Sequence, residues 1–178
     1  MKILVFTEGT ILVHSSSRGK TREQIVKQVA NLGSRWDTLL FFLKLKTDDI
    51  HNYPGYIPVG DAVNKIRRWK KQGATIYYLT SRRVNGEVGV ISKVLQKYDF
   101  PDCNNLLSRQ PGEEYNDVAE KLMPDIFIED DCESIGGAEE MTSTHFNPEA
   151  KVRTKTIVIK EFQGIDHLPD HLDQLKEF

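Results

Sequence analysis

Short apolar runs separated by stretches of helical spacing constrain this chain more than any other feature. The runs lie at 2–6, 75–79, 105–107, 126–128 and 156–159, each closed by turn-forming or polar residues, and they read as strands. Between them, apolar residues recur at three- and four-residue intervals: Ala62, Val63, Ile66 and Trp69, then Val88, Ile91, Val94 and Leu95, then Val118, Ala119 and Leu122. Parallel strands need crossover connections, and strands covered by helices on both faces are apolar on both sides. The alternation therefore predicts an α/β fold: a doubly wound, mainly parallel five-stranded sheet. The 178 residues suit a single domain spanning 1–178.

The segment 13–58 breaks the alternation and reads as a small helical insertion, or cap, after the first strand. Thr21 and Gln24 fit a capping box, Ile25, Val26 and Val29 form an apolar stripe, and Gly33 is a C-terminal stop. The run 36–45 is apolar around its whole circumference and must be covered, either by the parent domain or by a second copy in a homo-oligomer. The stretch 52–58, with two prolines and a glycine, reads as a return loop.

Composition narrows the function. With 39% hydrophobic and 28% charged residues and a net charge of −2, the chain is expected to be a soluble globular protein. It lacks the basic field of a nucleic-acid binder and any run near the roughly 20 apolar residues of a membrane span, so neither nucleic acid nor membrane is an expected partner. The apolar run at the start is too short for a signal-peptide core, and Cys103 and Cys132 show no zinc spacing; a reduced, cytoplasmic chain is expected. The basic residues of the helix at 61–72, Lys65, Arg67, Arg68, Lys70 and Lys71, are expected on its solvated face. His167 and His171 are expected at the surface, and Cys132 is expected to be structural, since acidic neighbours disfavour a thiolate. No GxGxxG and no GxxxxGK[ST] occurs.

In an open α/β sheet the ligand site lies beyond the carboxyl ends of the strands, near the reversal of strand order. Thr7, Glu8, Gly9 and Thr10 follow the first run; Thr80, Ser81, Arg82 and Arg83 the second; Ser108 and Arg109 the third; Glu129, Asp130 and Asp131 the fourth. Three adjacent acids raise one another's pKa unless donors or a cation compensate, and a magnesium ion, needing one or two carboxylates plus waters, would do so.

These motifs, in this order, resemble the haloacid dehalogenase-like superfamily of phosphotransfer enzymes. Its acidic pair closing the fourth strand is matched by Glu129, Asp130 and Asp131, and its Thr or Ser closing the second by Thr80 and Ser81. Its first motif, DxDGT, is matched only in part: anchoring on Gly9 and Thr10 puts Phe6 and Glu8 at the two Asp positions, anchoring on the strand puts Thr7 and Gly9 there. Neither register keeps the Asp that attacks phosphorus in this superfamily. The resemblance implies a Mg2+ site at Glu8, Asp130 and Asp131 and phosphate contacts from Thr7, Thr10, Thr80, Ser81 and Arg82. It gives the third-motif cation, which steadies the transferred phosphoryl group, to Arg109, with Lys121 the alternative. Two readings follow for a small phosphorylated molecule: hydrolysis by a magnesium-activated water with Glu8 as base and Arg109 assisting, or binding without turnover.

Overall fold

The computed structural model describes residues 1–33 and 52–178. Five strands, β1 (Lys2–Phe6), β4 (Thr75–Leu79), β5 (Leu106–Leu107), β6 (Ile126–Asp130) and β7 (Lys155–Ile159), form one parallel sheet in the order β5-β4-β1-β6-β7. β1 is central, paired with β4 on one side and β6 on the other, so strand order reverses at β1. The expected α/β fold is thus borne out, strand by strand.

The centre of the sheet follows from its sequence. Ile3, Leu4 and Val5 are consecutive, apolar and fully buried, as a strand covered on both faces requires. Side chains alternate across a strand, so Ile3 and Val5 enter one core while Leu4 enters the other. The first core is closed by α2 (Ala62–Lys71) and α3 (Asn85–Lys97) through Ile66, Trp69, Ile91 and Leu95. The second is closed by α4 (Tyr115–Leu122) and α5 (Pro148–Arg153) through Val118, Ala119 and Ala150, with Phe146 beside Phe127. At the end of the chain, α6 (Leu172–Glu177) returns Leu175 to the first core.

Two details depart from the sequence reading. The insertion is flanked by a short antiparallel pair, β2 (Leu12–His14) and β3 (Tyr56–Pro58), where a return loop was expected at 52–58. Three-residue strands are too short to show a period. Lys65, expected on the solvated face of α2, is buried; its ammonium donates to the Leu168 carbonyl at 2.5 Å and pairs with Asp170. The remaining bases of that face pair with Asp61, Asp99, Asp102 and Asp170, leaving Lys71 outside these ion pairs.

Within the insertion, α1 (Arg22–Gly33) begins with the expected capping box: the Thr21 amide donates to Gln24 Oε1 at 2.9 Å and the Gln24 amide to Thr21 Oγ1 at 3.4 Å. The apolar run 36–45 lies outside the described residues. Among those described, no helix is long and apolar enough to cross a membrane.

Candidate functional site

A cavity of about 340 Å³ opens at the carboxyl ends of β1, β4 and β6, where strand order reverses. The sheet contributes Phe6, Glu8, Gly9, Ser81, Arg82 and Asp130 to its lining. The insertion contributes Val13, His14, Ser17, Gln28, Val29 and Tyr56 as a roof, and the segments beyond β6 and β7 contribute Ser134, Glu161 and Phe162.

The turn after β1 is fixed by its backbone. The Ile11 and Leu12 amides both donate to the Thr7 carbonyl, and the Gly9 amide donates to Leu12. Gly9 sits at φ +83°, and a Cβ there would stand 2.6 Å from Asp130 Oδ2, so this turn approaches β6 as closely as only glycine permits. Phe6 and Glu8 line the cavity, whereas Thr7 is buried outside it, its hydroxyl 3.1 Å from the Leu79 carbonyl. Phe6 stands at the end of β1 against the cavity, its ring edge-on to Tyr115 at 5.4 Å.

Glu8 is the most heavily bonded group at the cavity floor. Its Oε1 accepts from the Thr80 hydroxyl at 2.6 Å, with Arg82 Nε 3.6 Å away. Its Oε2 lies 2.6 Å from the Thr7 hydroxyl and accepts from the Ser81 amide at 3.0 Å. Arg82 is held in turn by Tyr53, whose hydroxyl accepts from it at 2.8 Å and whose ring its guanidinium overlies, and by the Ser81 hydroxyl at 3.0 Å. Burial works against the charge of Arg82, but Glu8 and Tyr53 carry its pKa above the ordinary value.

Asp130 lies deeper. Its Oδ2 accepts from the Thr10 hydroxyl at 2.8 Å and its Oδ1 from the Cys132 amide at 3.1 Å. Burial pushes its carboxyl up to about 7, with Glu161 and Glu129 adding to the rise and the two hydrogen bonds opposing it. Glu129 points to the other side of β6, where it accepts from the Thr142 and Ser143 amides at 2.8 and 3.0 Å and from the Ser143 hydroxyl. Glu161 accepts from the Ser134 amide and hydroxyl, both at 2.7 Å. Burial raises the pKa of both glutamates despite these donors. Burial also raises the Cys132 thiol, reinforced by Asp130, which disfavours a thiolate there.

Of the expected site residues, Thr7, Thr10 and Thr80 are fully buried and outside the cavity lining, and Asp131 and Arg109 stand apart from it. Asp131 turns to β7, accepting from Lys160 at 2.8 Å and from the Glu161 amide at 3.0 Å; burial opposes its charge, but Lys160 and that amide hold its carboxyl below the usual range. Alternation along the chain makes this unavoidable once Asp130 faces the cavity. Arg109 is buried against Tyr115, its guanidinium 3.6 Å from the ring centre, and pairs with Glu114. It reaches the site only through Tyr115, whose hydroxyl donates to the Ser81 carbonyl at 3.1 Å. Lys121, the alternative, pairs with Glu113 at the surface. His167 and His171 are exposed, as expected. Sequence reasoning missed Tyr53 and Tyr115, which fall outside the strand-end loops, and also Ser134 and Glu161, which follow β6 and β7.

Among the described residues no group of three or more His, Cys, Asp or Glu is arranged to hold a metal ion. Glu8 and Asp130 share the cavity floor, and a magnesium ion held chiefly by water needs no more than two such carboxylates.

No family model matches the sequence, and no curated protein is similar to it at the sequence level. Solved structures are similar in fold. The class C acid phosphatase from Bacillus anthracis superposes with a TM-score of 0.56 at 15% identity, over 92% of this chain and 67% of that one. The crystal structure of the class C acid phosphatase from Bacillus anthracis with tungstate bound gives 0.55 at 15% identity, over 92% and 68%. The chain therefore shares the α/β fold of these class C acid phosphatases, with Phe6 and Glu8 rather than aspartates at the end of its first strand.

Proposed function

We propose that this chain binds a small phosphorylated molecule in the cavity and does not form an aspartyl-phosphate. One observation carries the reading: Phe6 occupies the end of β1 and lines the cavity, and a phenyl ring cannot attack phosphorus. The donors beside it suit an oxyanion, since the Thr80 hydroxyl, the Ser81 amide and the Arg82 guanidinium converge on a single carboxylate, that of Glu8. A structural neighbour was crystallised with tungstate, a tetrahedral oxyanion, which supports the same assignment. Phe6, Tyr115, Val29 and Phe162 provide an apolar and aromatic wall for the organic part of the ligand.

Glu8 and Asp130 would hold a magnesium ion, which when bound supplies positive charge against the phosphoryl oxygens. The chain's own residues then divide the work. Arg82 and Ser81 orient the anion, Tyr53 and Tyr115 fix those two residues, and the roof from the insertion limits access of water.

The hydrolytic reading keeps a magnesium-activated water as nucleophile, with Glu8 as its base and Asp130 needed to hold the metal. One pair of measurements separates the two. Calorimetric titration with phosphate monoesters, with and without magnesium, is expected to show binding, while phosphate release and acid-stable phosphoprotein stay at background. Steady phosphate release by the wild type, abolished in Asp130→Asn, would establish hydrolysis; absence of binding across the panel would remove both readings.

A further inference from the structure

The bonds around Glu8 have a consequence for what can enter. A carboxylate and the edge of a phosphoryl group are both planar pairs of anionic oxygens seeking the same donors. Here Oε1 accepts from the Thr80 hydroxyl at 2.6 Å, and Oε2 accepts from the Ser81 amide at 3.0 Å and lies 2.6 Å from the Thr7 hydroxyl. Among the described residues Arg82 is the arginine or lysine that lines the cavity, and it too leans on Glu8, at 3.6 Å. With its side chain only 11% exposed, Glu8 has little of its charge left for solvent.

We propose that Glu8 is an internal oxyanion: its carboxylate fills the anion subsite of this chain and must be displaced before an external phosphoryl group can bind. The inference rests on the reading of the cavity as a phosphate-monoester site and adds a rule of selection to it. Inorganic phosphate brings only the interactions that Glu8 already makes, and it arrives as a second anion beside Asp130 and Glu161, so it does not displace the carboxylate. A monoester brings in addition an organic body for the wall formed by Phe6 and Tyr115, and that burial supplies the difference. The cavity thus discriminates a phosphorylated metabolite from free phosphate by competition with a built-in group.

The test uses the whole chain in chelator-containing buffer, with inorganic phosphate and phenyl phosphate as probes in calorimetric titrations. Glu8→Ala is expected to bind inorganic phosphate roughly tenfold or more tightly than the wild type, and the gain to vanish in the Glu8→Ala, Thr80→Val double variant. Glu8→Gln, close in shape, serves if Glu8→Ala does not fold, and is expected to gain affinity in the same direction. In the wild type the Ser81 amide resonance is expected to stay unmoved by phosphate and to shift with phenyl phosphate. Equal affinity of wild type and both variants for phosphate, or no phosphate binding by either folded variant, would overturn the internal oxyanion. Phenyl phosphate bound by the wild type in that event leaves the monoester site standing. Phosphate gained by the variants with no monoester bound by the wild type keeps the internal oxyanion and removes the monoester site.

Discussion

Gly9 sets how closely the turn after β1 approaches Asp130. Any side chain there meets two penalties: φ of +83°, and a Cβ that would lie 2.6 Å from a carboxylate oxygen already anchored by Thr10. Gly9→Ala is expected to lower stability by about 1–3 kcal/mol in urea denaturation. The same variant is expected to move the titration of Asp130, followed by carbon NMR, because the carboxylate must turn away from Thr10 or Cys132. At this scale the sequence was informative where function sits at strand ends: Glu8, Ser81, Arg82 and Asp130 reach the cavity, and Thr10 and Thr80 bond the carboxylates there. It misled where two groups are neighbours in the chain but face opposite ways, as Asp130 and Asp131 do. It was silent on Tyr53 and Tyr115, whose roles depend on distances no spacing encodes: Tyr53 is 29 residues from the arginine it holds, Tyr115 is 34 from the carbonyl it meets.

At the scale of elements, the roof over the cavity is tied down by its first helical residue. Arg22 Nε donates to the Glu161 carbonyl at 2.9 Å, and its guanidinium pairs with Glu133 and stands 4.0 Å from Asp131. One side chain therefore joins α1 to the segments beyond β6 and β7. Arg22→Ala is expected to cost roughly 1 kcal/mol, the size of a solvent-accessible ion pair with one backbone hydrogen bond. Local opening would then speed amide exchange in α1 about fivefold in hydrogen-exchange mass spectrometry, leaving the exchange of β1 and β4 unchanged. The helix and its Thr21 cap were legible in sequence because capping chemistry is local. The pair of β2 with β3 was not, because its partners are 42 to 46 residues apart and each strand is three residues long.

For the whole molecule, three buried carboxylates on adjoining segments, Glu129, Asp130 and Glu161, make stability depend on pH. Each has a folded pKa above its ordinary value, so the native state holds protons that the unfolded chain has released. Their contribution is complete below the unfolded pKa of about 4 and is lost as pH rises through the folded value, about 7 for Asp130. Thermal denaturation in metal-free buffer is therefore expected to show the midpoint falling from about pH 5 to about pH 7, a window in which carboxylates of depressed pKa such as Asp131 are already ionised in both states. Asp130→Asn is expected to flatten that slope, and an unchanged slope would place the cause elsewhere. Saturating magnesium is expected to flatten it as well, by offsetting the charge at Asp130. The fold itself was legible at this scale because continuous burial of β1 and β6 leaves a run of apolar residues in the sequence that few arrangements other than a covered parallel sheet can use.

Glu129 and Glu161 grip the segment after β6 from two sides, one through Thr142 and Ser143 and the other through Ser134. That side of the cavity is thereby stapled to the sheet, whereas on the opposite side the described ion pair from α1 to the segments beyond β6 and β7 is the solvent-accessible one of Arg22. The cavity is expected to act as a vise with one fixed jaw and one, at α1, that can travel. A ligand's phosphoryl end and the part nearest Ser134 and Thr142 are read by surfaces that do not yield, so changes there are rejected outright. Changes in the part facing Val29 and Gln28 are met by a jaw that can shift, and tolerance for varied substituents should be found on that side.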